Sequence, residues 1–481
     1  MFTNNQIPRC TPEEQGVSSV AISGFLEAAE AAQLELHSLM ILRHAHVIAQ
    51  GWWPPYRPED VRLLFSATKT FTSTAVGFAV SEGYITLEDK VISFFPEYAP
   101  EAVHRHLEAM TIRHLLTMSP GHSKPSFGID YRRNKGSWVR HFLQELEIDH
   151  PPGSRFVYSG GPSHMLSAIV QKVTGQTLLQ YLQPRLFEPL GIVGARWETD
   201  PAGICSGGFG LSIKTEDFAR FGQLLLQRGV WNGCRILPEQ WIHDATSFQI
   251  DNSQHGYGYQ FSLGLHGSYS SNGAHGQLCL VIPEQDMVIT LTAGDNRMNE
   301  VVGLIWEHLY PAASEMALPQ AEACQQGLSR QLSPVGYSCS GHSAESAAAR
   351  MRFVKRYEIM DPLESVKVVA FDFKDDSCIF TLWDHRGEHS IHCGFGMVRY
   401  GMTTMTGNVL HHEYQPDVIQ VAASGVWRNE HTFEMVWHFI ETPFRDTIVC
   451  TFEGEKLTLH RSVNVNNGPL ELPALQGELA P

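Results

Sequence analysis

The 481-residue sequence has no apolar run of membrane-spanning length, no Cys-x-x-Cys pair, no dense stripe of lysine or arginine, and no basic start leading into an apolar stretch. Without about 18 consecutive apolar residues there is no candidate for a membrane-spanning helix. The nine cysteines (10, 205, 234, 279, 324, 339, 378, 393 and 450) are odd in number and scattered. They fit neither a metal knuckle nor a redox dithiol and are expected to be reduced structural thiols. Lys and Arg number 35 against 51 Asp and Glu, a formal charge of -16 that repels phosphate backbones. A nucleic-acid partner is therefore not expected. The opening Met-Phe-Thr-Asn-Asn-Gln-Ile-Pro-Arg-Cys does not read as a secretory leader, and together with the thiols this points to a cytoplasmic protein without a membrane partner.

What is present can fold. Hydrophobic residues make up 43% and charged residues 18%, a balance that supports a packed core, and the length calls for two of them. From about residue 22 to 309 helix-like stretches alternate with short apolar strands separated by Gly and Pro. Residues 316–337 turn Ala-, Gln- and Ser-rich around Pro319 and Pro334, the composition of a linker or loosely packed connection. Beyond it the period is two: Val369, Phe371 and Phe373 alternate with polar or smaller residues, as do Ile448, Cys450 and Phe452 ahead of Gly454 and Leu457/Leu459. With turn chemistry at Asp375-Asp376 and His385-Arg386-Gly387, residues 338–481 are expected to form a β-rich meander or lipocalin-like barrel. The fold class expected is α+β, with a first domain over 1–315.

The sharpest local signal is Phe65-Ser66-Ala67-Thr68-Lys69-Thr70-Phe71, which opens a segment with Phe71, Ala75 and Phe78 at helical spacing and a stop at Gly83. Three residues along a helix return to one face, so the Lys69 amine can reach the Ser66 hydroxyl. The helix N-terminus also favours negative charge developing at that serine. A serine hydroxyl is a poor nucleophile until a base takes its proton, and a lysine serves as that base only when burial or neighbouring charge disfavours its cationic form. Of the ten lysines, Lys69 alone has a serine three residues before it. Its helix is apolar nearly all round, so the lysine is expected to be buried. The bland alternative is a serine N-cap followed by a solvated lysine. No Gly-x-Ser-x-Gly elbow occurs, which argues against an α/β-hydrolase.

Further motifs follow in order: Thr111-Ile112-Arg113-His114-Leu115-Leu116-Thr117-Met118, Pro152-Gly153-Ser154-Arg155-Phe156-Val157-Tyr158-Ser159-Gly160, Phe187-Glu188-Pro189-Leu190-Gly191-Ile192, and the stretch from Gly207 to Gly222. With Ser66-Ala67-Thr68-Lys69 they resemble the serine β-lactamase-related hydrolases, which include class C β-lactamases, DD-peptidases, esterases and 6-aminohexanoate-oligomer hydrolases. The resemblance spans roughly residues 8–310. It implies an antiparallel sheet flanked by helices with a mostly helical subdomain, and catalysis through an acyl-enzyme without metal or organic cofactor. It also gives Tyr158 the role of the tyrosine that shares the base function and passes a proton to the leaving group.

The sequence departs from that pattern twice. Gly160 stands where the family has an asparagine, and no Tyr-x-Asn occurs anywhere. The family's Lys-Thr-Gly is also missing. Its nearest counterpart is Gly273-Ala274-His275-Gly276-Gln277 ahead of the apolar run Leu278 to Ile282. In this reading Gly276 lets substrate approach the backbone, the N–H groups of Ser66 and about Gln277 face the oxyanion, and His275 or Arg297 substitutes for the missing cation. Both departures shift the expected substrate from β-lactams toward a small-molecule ester or small amide. The alternatives are a β-lactamase or D-aminopeptidase/DD-peptidase, an acyltransferase, and a non-catalytic binding protein that keeps the pocket. The second domain could cap the cleft, bind a ligand or make a homo-oligomer. His385, His389, His392 and Cys393, like His411, His412 and Glu413, lack an established metal spacing. Trp52-Trp53-Pro54-Pro55-Tyr56 reads as core before it reads as a pocket wall.

Overall fold

The structure, a computed structural model, describes residues 6–128, 131, 134–333, 354–360, 366–405 and 416–480. Six strands make the first sheet: β1 (Leu36–Arg43), β2 (His46–Trp52), β3 (Ser262–Leu263), β4 (Tyr269–Gly273), β5 (Gln277–Ile282) and β6 (Met287–Ala293). They run in the order β2-β1-β6-β5-β4-β3, antiparallel throughout. Successive side chains of a strand point to opposite faces. Leu39, Ile41, Leu278, Leu280, Ile289 and Leu291 therefore pack on one side with helix α1 (Ser19–Ala31). Met40, Leu42, Cys279, Val281 and Val288 enter the opposite core with α2 (Thr68–Ser81), α3 (Gly160–Thr174) and α4 (Thr215–Leu226). Burial on both faces explains why these strands read as plain apolar runs in the sequence.

The connecting segment, expected as a linker, is partly helical. Residues Glu322–Leu332 form helix α5, which buries Leu328 and Leu332 in the core shared with α1 and lies along the outer strand β2. A Cβ at Gly51 would meet the Leu332 carbonyl oxygen at 2.8 Å, so glycine permits this approach. The outer edge of that strand is paired in part by residues 8–10, with the Val47 N–H donating to the Pro8 carbonyl at 2.8 Å and the Cys10 N–H to the Val47 carbonyl at 3.2 Å, and the helix packs over it at Gly51.

After it come ten strands: β7 (Val354–Ile359), β8 (Val368–Phe373), β9 (Ser377–Asp384), β10 (Gly387–Phe395), β11 (Arg399–Thr403), β12 (Ile419–Trp427), β13 (Thr432–Phe439), β14 (Arg445–Glu453), β15 (Lys456–Val463) and β16 (Glu471–Leu479). They follow the order β10-β9-β8-β7-β16-β15-β14-β13-β12-β11, and a parallel pairing of Gly394 with Ser424 and Phe395 with Gly425 closes the sheet into a barrel. The period-two residues point inward: Val369, Phe371, Phe373, Ile448, Cys450, Phe452, Leu457 and Leu459 are all buried in the barrel core. The turns fall at Asp375-Asp376 and His385-Arg386.

The Trp52–Tyr56 stretch lies beside the barrel. The Tyr56 ring stacks on His37 at 3.8 Å, and Tyr400 Oη of the barrel donates to the Pro55 carbonyl at 2.7 Å. Trp53 lines a cavity of about 540 Å³ with Leu26, Leu34, Leu36 and Gln331, away from Ser66. Among the described residues no helix is long and apolar enough to cross a membrane.

Candidate active site

Phe65–Ala67 form a 3-10 turn that runs directly into α2, where Thr68 to Ala79 are buried on every side. Ser66 keeps partial exposure, whereas Lys69 is 3% exposed. Lys69 Nζ donates to Ser66 Oγ at 3.1 Å and to the Gly208 carbonyl at 2.7 Å, and it stands 4.8 Å from the centroid of the Tyr158 ring. Among the described residues no carboxylate pairs with it, so the amine is held by dipoles and an aromatic face. The turn is anchored by hydroxyls. Thr70 Oγ1 and Ser271 Oγ both donate to the Ala67 carbonyl, at 2.9 and 3.1 Å. Thr68 Oγ1 accepts from the Leu211 N–H at 3.1 Å, and Thr72 Oγ1 donates to the Gly207 carbonyl at 2.8 Å. These bonds tie α2 to β4 and to the Gly207–Leu211 segment.

Tyr158 is 42% exposed and packs edge-on against Tyr257, centroids 6.2 Å apart. Tyr257 is fully buried, and burial together with the neighbouring Tyr158 holds its phenol proton well above the usual range. Gly160 opens α3, and its N–H donates to the Ser126 carbonyl at 2.9 Å. A Cβ at this position would fall far inside 3.0 Å of the Phe127 carbonyl oxygen. The backbone around Gly160 therefore has no room for the asparagine of the resembling family. Gly208 packs against it so closely that its own Cβ would lie 3.1 Å from Gly160 Cα. The contact to the lysine comes from the Gly208 carbonyl, a backbone group to which no sequence pattern assigns a contact.

The remaining candidates separate. The strand beside the nucleophile is β4, where Gly273 presses on the Leu64 carbonyl and Ser271 reaches Ala67. Ala274 to Gly276 form the hairpin turn into β5, not a cleft strand. Gly276 has φ +97°, and its Cβ would meet Ala293 Cβ at 2.6 Å, so this glycine serves the turn and the sheet behind it. Gln277 begins a central strand paired on both sides, and its Nε2 donates to the carbonyls of His275 and Ala293, each at 3.1 Å. Its backbone lies opposite Gly273 in the ladder. His275, 4% exposed, sits edge-on to Phe65 at 5.3 Å with Nδ1 2.8 Å from Asn296 Oδ1. Arg297 chelates Asp295 at 2.7 Å and donates to the Ala32 and Gln33 carbonyls, both at 2.8 Å. His275 and Arg297 are thus both engaged by groups of the chain itself.

In the barrel, His389 Nε2 meets Asp384 Oδ1 at 2.9 Å and its Nδ1 meets Thr404 Oγ1 at 2.7 Å. His392 and Cys393 lie on opposite faces of β10, one exposed and one buried. His411, His412 and Glu413 lie outside the described residues.

The profile of the family described as Beta-lactamase matches residues 27–309. The chain is 24% identical over 278 residues to the 6-aminohexanoate-dimer hydrolase of Paenarthrobacter ureafaciens, covering 52% of this chain and 71% of that one. It is 28% identical over 172 residues to the lovastatin esterase of Penicillium rubens, covering 31% and 43% of the two chains. The solved structure of SurE with D-Leu superposes with a TM-score of 0.51 at 16% identity, over 88% of this chain and 98% of that one. This likeness of fold reaches beyond residues 27–309 and into the barrel.

Proposed function

The chain belongs to the Beta-lactamase family, and on that basis we propose that it hydrolyses an ester or small amide through an acyl-enzyme on Ser66. The observation that carries the proposal is the Lys69 amine, buried, 3.1 Å from Ser66 Oγ and facing no carboxylate among the described residues. In this reading Ser66 Oγ attacks the carbonyl carbon while its proton passes to Lys69 Nζ. The tetrahedral oxyanion is met by the Ser66 N–H, one of the first donors of a helix and without an intrahelical partner. The backbone edge at Gly273, which borders Leu64, completes its surroundings. Tyr158, over whose ring the amine lies, passes the proton to the departing alcohol or amine. Water then adds to the acyl carbon, and the same groups return the serine to its starting state.

The ester or small-amide preference rests on what surrounds the pair. Gly160 offers no side-chain amide to a lactam, and Arg297 is engaged by Asp295 and two carbonyls. A substrate without a carboxylate at that end loses nothing by this arrangement, whereas a penicillin or peptide would leave its charge unpaired. The test compares kcat/KM for p-nitrophenyl acetate, p-nitrophenyl butyrate, a p-nitroanilide and a chromogenic cephalosporin, with Ser66→Ala as the blank. The expected order places an ester above the cephalosporin by at least ~10², the factor that corresponds to about 3 kcal/mol for leaving a charged group unpaired. Preference for the cephalosporin would replace this substrate class with the β-lactam one.

A further inference from the structure

Leu63 and Phe65 bury their side chains in the core of the barrel, while Leu64 between them joins the core of the first domain. The strand Val61–Leu63 pairs along one edge with Leu211–Lys214. Its other side is taken by residues 440–444, the connection between β13 and β14. The Leu63 N–H donates to the Glu441 carbonyl at 2.8 Å, and Arg62 Nη1 donates to the Ile440 carbonyl. Arg62 is itself fixed, with Nη2 donating to His37 Nδ1 at 2.6 Å and its guanidinium 4.4 Å from the Tyr56 ring centroid.

Phe65, directly before the serine, has φ +48°, a left-handed conformation that a bulky residue adopts only where its surroundings hold it. Those surroundings are three rings in mutual contact. Phe65 lies 6.4 Å from Phe444 and 5.3 Å from His275, and His275 lies 5.5 Å from Phe444. They join the nucleophile turn, the β4–β5 hairpin and the barrel. Residues 440–444 are rigid at their base: Thr442 Oγ1 donates to the Phe439 carbonyl at 2.9 Å and accepts from the Phe444 N–H at 3.2 Å. Arg445 pairs with Glu35 at 2.8 Å, and Arg196 with Glu441 at 2.8 Å.

We infer that Phe444 is a positioning residue for Ser66, by which the barrel holds Phe65, directly before the nucleophile, and the His275 turn packed on it. The inference rests on the reading of Ser66 as nucleophile. It makes the barrel part of what sets the catalytic rate.

The test measures two things on the full chain: the rate constant for labelling of Ser66 by a fluorophosphonate, and kcat and KM for p-nitrophenyl acetate. The proteins are the wild type, Phe444→Ala, Phe444→Leu and Phe452→Ala, each normalised to its folded fraction. Phe452 is buried in the same core, but eight residues of strand place it on the order of 25 Å from Phe444. Phe444→Ala is expected to lower labelling and kcat at least about tenfold with KM changed by less than about threefold, the pattern of a misplaced nucleophile. Phe444→Leu should fall between it and the wild type, and it gives the same answer if the alanine variant does not fold. Phe452→Ala should lose Tm while labelling within about twofold of the wild type. Labelling of Phe444→Ala at the wild-type rate, or equal losses in Phe444→Ala and Phe452→Ala, overturns the inference alone. A folded wild type that takes no label overturns the Ser66 reading and this inference with it.

Discussion

Replacing Gly160 by asparagine would introduce the side chain of the resembling family, and the structure predicts that the change harms the protein. The obstacle is met at Cβ, before any amide is placed. That atom would fall far inside 3.0 Å of the Phe127 carbonyl oxygen and 3.3 Å from Phe127 Cβ. The carbonyl would have to retreat by on the order of 1 Å to reach ordinary contact distance. Phe127 cannot yield cheaply, because it has φ +52° and its ring is stacked on Tyr131 at 4.1 Å and edge-on to Trp138 at 5.8 Å. Overpacking of this kind costs about 1–3 kcal/mol, and a backbone obstacle puts the substitution at the upper end. The strain also reaches the chemistry, since Gly208, whose carbonyl holds Lys69, packs on Gly160. A loss of at least tenfold in kcat/KM, about 1.4 kcal/mol of transition-state stabilisation, is expected. Thermal unfolding followed by circular dichroism, together with p-nitrophenyl ester hydrolysis, measures both effects. Gly160→Ala should reproduce most of the loss in Tm, because the clash needs only Cβ. An asparagine variant with unchanged Tm, or one that gains cephalosporin turnover, would show that the Phe127 carbonyl is no obstacle.

Burial pushes the Asp446 carboxyl up to about 8 inside the barrel, against about 3.9 for an unfolded chain. The folded state thus keeps a proton that the unfolded state releases, and stability present below about pH 3.9 is lost as pH rises through 8. The cost at pH 7 is on the order of 4 kcal/mol, so Asp446→Asn is expected to raise Tm at pH 7.5 and to give a smaller gain at pH 5; an equal gain at both would contradict the assignment. Burial drives His438 the other way, down to about 3, with Arg445 adding to it; Glu35, His37 and Arg62 also face the ring. Stability held above about pH 6.5 is therefore lost as pH falls toward 3, and His438→Gln should show a shallower decline of Tm between pH 6.5 and 4 than the wild type. Arg297→Ala should lower Tm by releasing Asp295 and the end of α1, yet leave the KM ratio of a carboxylate-bearing ester to a neutral one unchanged. A selective rise in KM for the charged ester would make Arg297 a substrate ligand.

Features carried by neighbours along the chain are legible in the sequence itself. Ser66 and Lys69 lie one helical turn apart, and the apolar surround of α2 announces burial of the lysine. The alternation through Val369, Phe371 and Phe373 announces a sheet with one face inside. Features decided by contacts between distant segments are not legible in this way. The absence of an asparagine at position 160 is visible, but its cause, the carbonyl of Phe127, sits 33 positions earlier on another loop. Gly208 contributes a backbone oxygen, a group every residue possesses, so sequence gives it no mark. The His275 motif misleads because a strand and a hairpin turn share their glycines. Helix α5 has only Leu328 and Leu332 to show for its buried face in a polar stretch, too weak a period to stand out.

The proposed chemistry depends first on Ser66 being a nucleophile activated by Lys69. The decisive measurement is intact-protein mass after exposure to a fluorophosphonate, for the wild type, Ser66→Ala and Lys69→Ala. One probe mass is expected on the wild type, mapped to Ser66, and none on either folded variant. A folded wild type that stays unlabelled, or a Lys69→Ala variant that labels as fast as the wild type, would contradict it.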